Sequence, residues 1–193
     1  MSLDVQSAPA NTFRLAPVKL PRAPLFGFVL VTLSCALASF ALACATPFAS
    51  FAVLAAAMMP LRPALLVVAG AWLVNQAIGF GALHYPVDAN TVLWGFTIAA
   101  AALVATMSSA IVLRVLPLNR TSVALTVALV CAYATYEFAL FAATPLLGGE
   151  GAFTPTIVTR LGLLSAVWLI ALVAVCESVR LLHRFRWSER AHT

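Results

Sequence analysis

Apolar runs broken by proline, glycine and charge dominate the chain, and their lengths select the elements. Six runs stand out, near 24–45, 47–61, 63–81, 92–116, 121–146 and 158–180. A helix needs roughly 20 apolar residues to cross a hydrocarbon core of about 30 Å, and most of these runs are long enough. The breaks fall at Pro47, at Met59-Pro60-Leu61-Arg62-Pro63, between Gly81 and Asn90, at Pro117-Leu118-Asn119-Arg120 and at Gly148-Gly149-Glu150-Gly151. Proline lacks the helical donor and glycine loses the most backbone entropy, so such clusters end helices. The pattern predicts an all-α integral membrane protein with six transmembrane helices. The second run is short for a crossing, since Pro47 and Pro60 bound it closely.

Charge decides that case. With six crossings, Arg14, Lys19, Arg22, Arg62, Arg114, Arg120, Arg180, Arg184, Arg186 and Arg190 share the side of the N-terminus, and only Arg160 opposes them. Without the second crossing the bias disappears. Basic residues favour the cytoplasmic side, so six spans with both termini cytoplasmic are expected, in a bacterial inner membrane. Composition agrees. Hydrophobic residues make up 63% and charged residues 9% of the chain, against about 25% charged residues in a typical soluble domain. Mean hydropathy is +1.04.

Residues 1–22 read as a polar cytoplasmic tail, residues 23–182 as one transmembrane domain and residues 183–193 as a basic cytoplasmic tail. The apolar run after Arg22 is too long for a signal peptide and closes on no cleavage site. The net charge of +5 serves orientation, and basic groups held against a bilayer do not suggest a nucleic-acid partner. Cys35, Cys131 and Cys176 read as small apolar packing residues within spans, and Cys44 falls near the outer end of the first span. Small residues recur at Ala36, Ser39, Ala43 and Ala45 and at Ala99-Ala100-Ala101-Ala102 with Ala105, a spacing that lets helices approach closely in lipid.

No GxxxxGK[ST] loop, HExxH or GxSxG is present, so nucleotide hydrolysis and the common metalloprotease and esterase chemistries have no motif here. No intrinsic cofactor is expected. Polar residues inside hydrocarbon are costly and tend to mark pairing, function or a wet cavity. In the six-span topology they gather on the outer side: Asn75 and Gln76 in the third span, His84, Tyr85, Asp88 and Asn90 after it, Trp94 at the start of the fourth, Tyr133, Tyr136 and Glu137 in the fifth, and Arg160 opening the sixth. The asymmetry predicts a pocket open to the outside. Each residue also has a plainer role. Trp94 suits an interfacial anchor as well as a ligand contact. Asn75 and Gln76 point about 100° apart, so one is placed to bond a neighbouring helix. Glu137 has Arg160 as its expected partner, and Glu177 has Arg180 three residues on. His84 is the one histidine outside the basic tail and is available as a metal ligand.

The run Trp72-Leu73-Val74-Asn75-Gln76-Ala77-Ile78-Gly79-Phe80-Gly81, followed by Tyr85-Pro86 and Trp94-Gly95, resembles a segment of the substrate-binding S components of energy-coupling-factor vitamin transporters. It is most similar to their small solitary cobalamin-uptake subfamily of Gram-negative bacteria. The motif covers about 24 residues, while size and span number agree along most of the chain. The resemblance implies a vitamin, cobalamin or a related corrinoid, bound from the periplasmic side between outer helix halves and loops. It also implies reorientation of the protein in the bilayer, with a shared transmembrane subunit and ATPases as partners unless the protein works alone. In the cobalamin subfamily a cysteine near the outer end of span three can contact cobalt. This chain departs there, because Phe80 and its neighbours include no cysteine, and the resemblance carries no thiolate chemistry to it. By position alone, His84 stands in as a cobalt ligand with Tyr85 beside it.

The aromatic faces of Trp94, Tyr85, Tyr133 and Tyr136, with Asn75, Gln76, Asp88 and Glu137 as polar contacts, suit a large amphipathic ligand and would also suit another vitamin or a metal chelate. Two other functions stay open: a non-transporting assembly subunit docking through its Ala-rich faces, and a membrane enzyme using Glu137 and His84.

Overall fold

Proline and glycine set the element boundaries in the computed structural model, which describes Leu15, residues 23–42 and residues 45–190, without the side chains of 23, 118 and 183–190. Ala43, Cys44 and, Leu15 apart, the N-terminal tail lie outside the described residues. Six helices follow in order: α1 Ala23–Leu42, α2 Phe48–Met58, α3 Leu61–Ala77, α4 Ala89–Val115, α5 Thr121–Leu147 and α6 Pro155–Arg190. Pro47 and Pro60 precede α2 and α3. Pro155 opens α6, where its missing N–H costs nothing. Gly148 ends α5 in a positive-φ conformation (77°). No strand occurs among the described residues.

Five of the helices are long and apolar enough to cross a membrane. Their outward faces are greasy: Leu66 is 73% and Phe138 72% exposed. Water would not tolerate such a surface over so much of the protein, and hydrocarbon does. The chain is an all-α multi-pass membrane protein.

α2 is the exception that organises the rest. It has 11 residues, about 16 Å of helix, and only Ala56 escapes full burial. It touches each of the other five helices and forms the centre of the bundle. Its direction follows from its contacts. α1 and α3 run parallel, since Cys35 Sγ meets the Ala71 carbonyl (3.1 Å) and, one turn further along both, Asn75 Nδ2 donates to Ser39 Oγ (2.9 Å). Asn75 also reaches Thr46 (3.0 Å), whereas Met59 packs on Gly27 near the start of α1. The segment from Thr46 to Met59 therefore travels back through the bundle between two parallel helices. α6 runs the same way as α2: Ser50 Oγ donates to the Ser165 carbonyl (2.6 Å), and Cys176 meets Met58 (3.9 Å).

The helix ends thus sort into two groups. At one, the loop end, lie the turns between α1 and α2, α3 and α4, and α5 and α6. The other, the basic end, carries Arg62, Arg114, Arg120 and Arg180. There Leu15 is buried, and its amide donates to the Ala57 carbonyl at the close of α2. α4 and α5 form the most extensive helix pair, and Ala101, Ala102, Ala105, Ala124, Ala128 and Ala132 are all fully buried. Ala101, Ala102 and Ala105 of α4 thus pack inside the bundle, while Ala100 is exposed. α6 outruns its predicted span, continuing helically through Arg190, about 54 Å in all.

Candidate functional site

The short α2 leaves a space above itself. Its first turn is level with Ser165 of α6, held by the Ser50 hydrogen bond, and with Tyr136 of α5, whose ring lies 6.3 Å from that of Phe48. From those levels α6 climbs to Pro155 and α5 to Leu147, about 15 Å further in each case. The volume that a full-length helix would have filled is instead a cavity of about 500 Å³ at the loop end.

Its floor is the start of α2, with Phe48 and Ala49, and the turn of Ala45, Thr46 and Pro47. Irregular backbone at membrane depth is tolerated where it is buried in protein or lines a cavity. The walls come from Trp94 and Ile98 of α4, Tyr133, Tyr136, Glu137 and Leu140 of α5, and Ile157, Leu161 and Ser165 of α6. A 3-10 turn, Glu150–Phe153, adds Ala152 and Phe153 to the lining at the loop end. Gly148 and Gly149 launch it at positive φ, and Phe153 packs edge-on against Phe141 at 5.4 Å. Gly149 lies against Trp94.

Polar groups in this cavity are few and placed. Tyr133 donates its hydroxyl proton to the Val158 carbonyl (2.5 Å), and Gly162 lets its ring pass close to α6. One helical turn on, the half-buried Glu137 sits within hydrogen-bonding reach of that hydroxyl. Among the described residues, Glu137 is the only charged side chain on the cavity wall. The positive end of the α2 dipole faces the same space. An apolar, aromatic chamber with one carboxyl group matches a ligand with a flat apolar body and a hydrogen-bond donor.

Of the residues predicted from sequence, Trp94, Tyr133, Tyr136 and Glu137 come together here. The others do different work. Asn75 joins α3 to Ser39 of α1 and to Thr46, and its carbonyl accepts from Gln76 Nε2 (3.1 Å). One of the two adjacent amides does bond a neighbouring helix, as expected. Gln76 lies across Gly95, whose carbonyl accepts from Trp72 Nε1 at 2.8 Å. After α3 the helix widens into a π turn, Ile78–Ala82, and the Tyr85 amide closes on the Gly79 carbonyl (3.0 Å) with its ring over Gly79 and against Phe80. The Trp72-to-Gly95 segment thus reads as a lock between α1, α3 and α4. Asp88 caps α4 by accepting from the Thr91 amide (2.8 Å). His84 is exposed in the loop at φ 55°, and neither it nor Tyr85 belongs to the cavity wall. Among the described residues no three His, Cys, Asp or Glu side chains cluster as a metal site.

The expected Glu137–Arg160 pair does not form; the one ion pair among the described residues is the expected Glu177–Arg180 contact. The reason is angular. Val158 and Gly162 face Tyr133 on α5, and Arg160, two residues past Val158, points about 200° around the helix. It lies on a groove between α6 and α1 instead. Cys35 and Cys176 are buried packing residues, as expected, and Cys131 is half-buried. Sequence reasoning missed Phe48, Ile98, Leu140, Phe153, Ile157, Leu161 and Ser165. Six of these are apolar and Ser165 is one small hydroxyl among many in the spans, so their side chains carry no chemical signal; the closeness of Pro47 to Pro60 is the available clue, since a helix too short for its bundle leaves a hole.

What these features define is a multi-pass helical membrane protein with a ligand-sized cavity at one end. No family model, curated protein or solved structure matches the chain.

Proposed function

We propose that the protein crosses a bacterial inner membrane six times with both termini in the cytoplasm, and that its cavity captures a small vitamin-like molecule from the outside for uptake, in the manner of an S component. The observation that carries this reading is the cavity above α2, which combines ligand size, aromatic walls and one carboxyl group. The antiparallel return of α2 supports six crossings, and the basic residues at the opposite end support the orientation. The described residues offer few acid–base groups for an enzyme, since Glu137 and His84 do not share a site.

The ligand class follows from volume. Sites for small molecules run from about 300 to 1,000 Å³, and this one suits a one- or two-ring compound whose donor group meets Glu137. Cobalamin, the substrate suggested by resemblance, is larger and would sit partly outside unless the Glu150–Phe153 turn moves away. The resemblance offers His84, by position alone, as the cobalt ligand with Tyr85 beside it; both lie in the loop before α4 and outside the cavity wall. A shared transmembrane subunit and ATPases would then be the coupling partners.

Equilibrium binding tests this directly. Purified protein is titrated with cobalamin and with a panel of one- and two-ring vitamins. Saturable binding of one compound, weakened at least tenfold by Trp94→Ala or Glu137→Gln, is the expected result; no saturable binding to any compound sinks the proposal. His84→Ala separates the substrates, because only a corrinoid would lose affinity. Orientation is read independently by cysteine labelling of His84→Cys and Arg120→Cys in a cysteine-free chain, which should react from opposite compartments.

A further inference from the structure

A second concavity lies on the lipid-facing side. α1 and α6 are tied by Trp168 Nε1 donating to Ser34 Oγ at 2.7 Å. Between that contact and the loop end they enclose a groove of about 710 Å³, walled by Phe40, Ala41 and Leu42 on one side and Leu163, Leu164 and Val167 on the other. Arg160 stands at its upper edge, exposed, with no ion pair or hydrogen bond among the described residues. It lies about 7 Å inside the start of α6.

Charged side chains within a bilayer usually face the bundle interior and find a protein partner there. Arg160 does neither. Apolar walls give water nothing to bond, so in a membrane the groove is filled by chain atoms. Along α6 it extends from Arg160 to Trp168, about 12 Å. That is the reach of a partly inserted acyl chain and too short for a docked transmembrane helix. The group that lipids offer at the height of an arginine is a phosphate, and guanidinium–phosphate pairs are strong and directional.

We propose that the α1–α6 groove is a binding site for an anionic phospholipid, with one acyl chain between the helices and its phosphate on Arg160. The site is separate from the cavity, yet Ala45, Ile157 and Leu161 border both. The lipid chain therefore lies against the back of the cavity wall, and its presence keeps those three side chains in place.

Native mass spectrometry of the full chain tests this, using delipidated protein with equimolar dioleoyl phosphatidylglycerol and dioleoyl phosphatidylcholine. The expected result is a one-to-one adduct favouring the anionic lipid about tenfold, the scale of one charge-assisted bond: both lipids carry the phosphate, but the choline cation of phosphatidylcholine competes with Arg160 for it and repels the guanidinium. Arg160→Gln should bring the two lipids level, while Arg160→Lys retains most of the preference and Arg120→Gln, at the basic end, leaves it unchanged. Ala41→Trp and Val167→Trp, which fill the groove from opposite walls, should remove the adduct of either lipid at unchanged helix content. The proposal is overturned if Arg160→Gln keeps the wild-type preference, or if the adduct survives both tryptophan variants.

Discussion

Asn75→Ala is the perturbation with the most defined consequence. The side chain donates to Ser39 Oγ (2.9 Å) and Thr46 Oγ1 (3.0 Å) and accepts from Gln76 Nε2 (3.1 Å). It thereby joins α3 to α1 and to the turn that floors the cavity. Hydrogen bonds between membrane helices average about 0.6 kcal/mol, so losing the two that leave α3 costs about 1.2 kcal/mol, the Gln76 contact lying within α3 and adding little. Ser39 keeps its own bond to the Cys35 carbonyl (2.8 Å), so no buried donor is stranded there and the loss stays near that sum. Equilibrium unfolding in mixed micelles, followed by helicity, measures the difference. A double-mutant cycle with Ser39→Ala isolates one contact and should give a coupling of about 0.6 kcal/mol. Because Thr46 lies on the cavity floor, ligand affinity should fall as well, although Asn75 itself does not line the cavity. A stability loss under 0.5 kcal/mol, or a coupling near zero, would refute the assignment of Asn75 as the strut between these elements.

Other consequences are equally open to measurement. Gly79→Ala places a methyl group 2.8 Å from the Tyr85 ring; overpacking of this kind costs about 1–3 kcal/mol, and the turn at 83–88 should become more susceptible to protease. Asp88 has its carboxyl group held below the ordinary value of 3.8 chiefly by the Thr91 amide. A depressed carboxyl contributes stability above its unfolded value and loses it as pH falls through the folded one, so amide exchange at the start of α4 should quicken only below about pH 4. Asp88→Asn, which still caps, should lose that pH dependence. Gly162→Leu, whose Cβ would lie 3.1 Å from the Tyr133 ring, should force that ring away from α6 and weaken ligand binding without removing Glu137.

Much of the fold could be read from apolar run length alone. Four of the five long helices begin and end within a few residues of expectation because proline, glycine and charge give abrupt boundaries, while α6, with no such break after Arg180, runs on to Arg190. Charge asymmetry predicts a crossing by the Pro47–Pro60 segment; what the contacts of Asn75 and Met59 show is a short helix running antiparallel to α1 and α3. The site was half legible. Trp94, Tyr133, Tyr136 and Glu137 attract notice because aromatic and acidic groups are unusual in a span, and they do share a cavity. Asn75 and Gln76 attract the same notice and yet pack helices, since an amide in hydrocarbon is as useful for helix association as for ligands. His84 and Tyr85 follow the π turn after α3 and do not line the cavity wall. Arg160 was assigned to Glu137 by charge alone; helix phase, which sets it opposite to Val158, decides against that. The apolar half of the cavity was invisible, because Phe48 and Leu161 look like any membrane residue until the length of α2 is compared with that of its neighbours.

Small-molecule mass spectrometry of the protein purified from its native membrane bears on the central claim most directly, comparing wild type with Ala49→Trp, which fills the cavity from its floor. A single compound should accompany the wild type at close to one per chain, carry a ring system and a donor group, and vanish from the filled variant while helix content is unchanged. The same compound retained at the same level by Ala49→Trp would place its binding elsewhere and contradict the account.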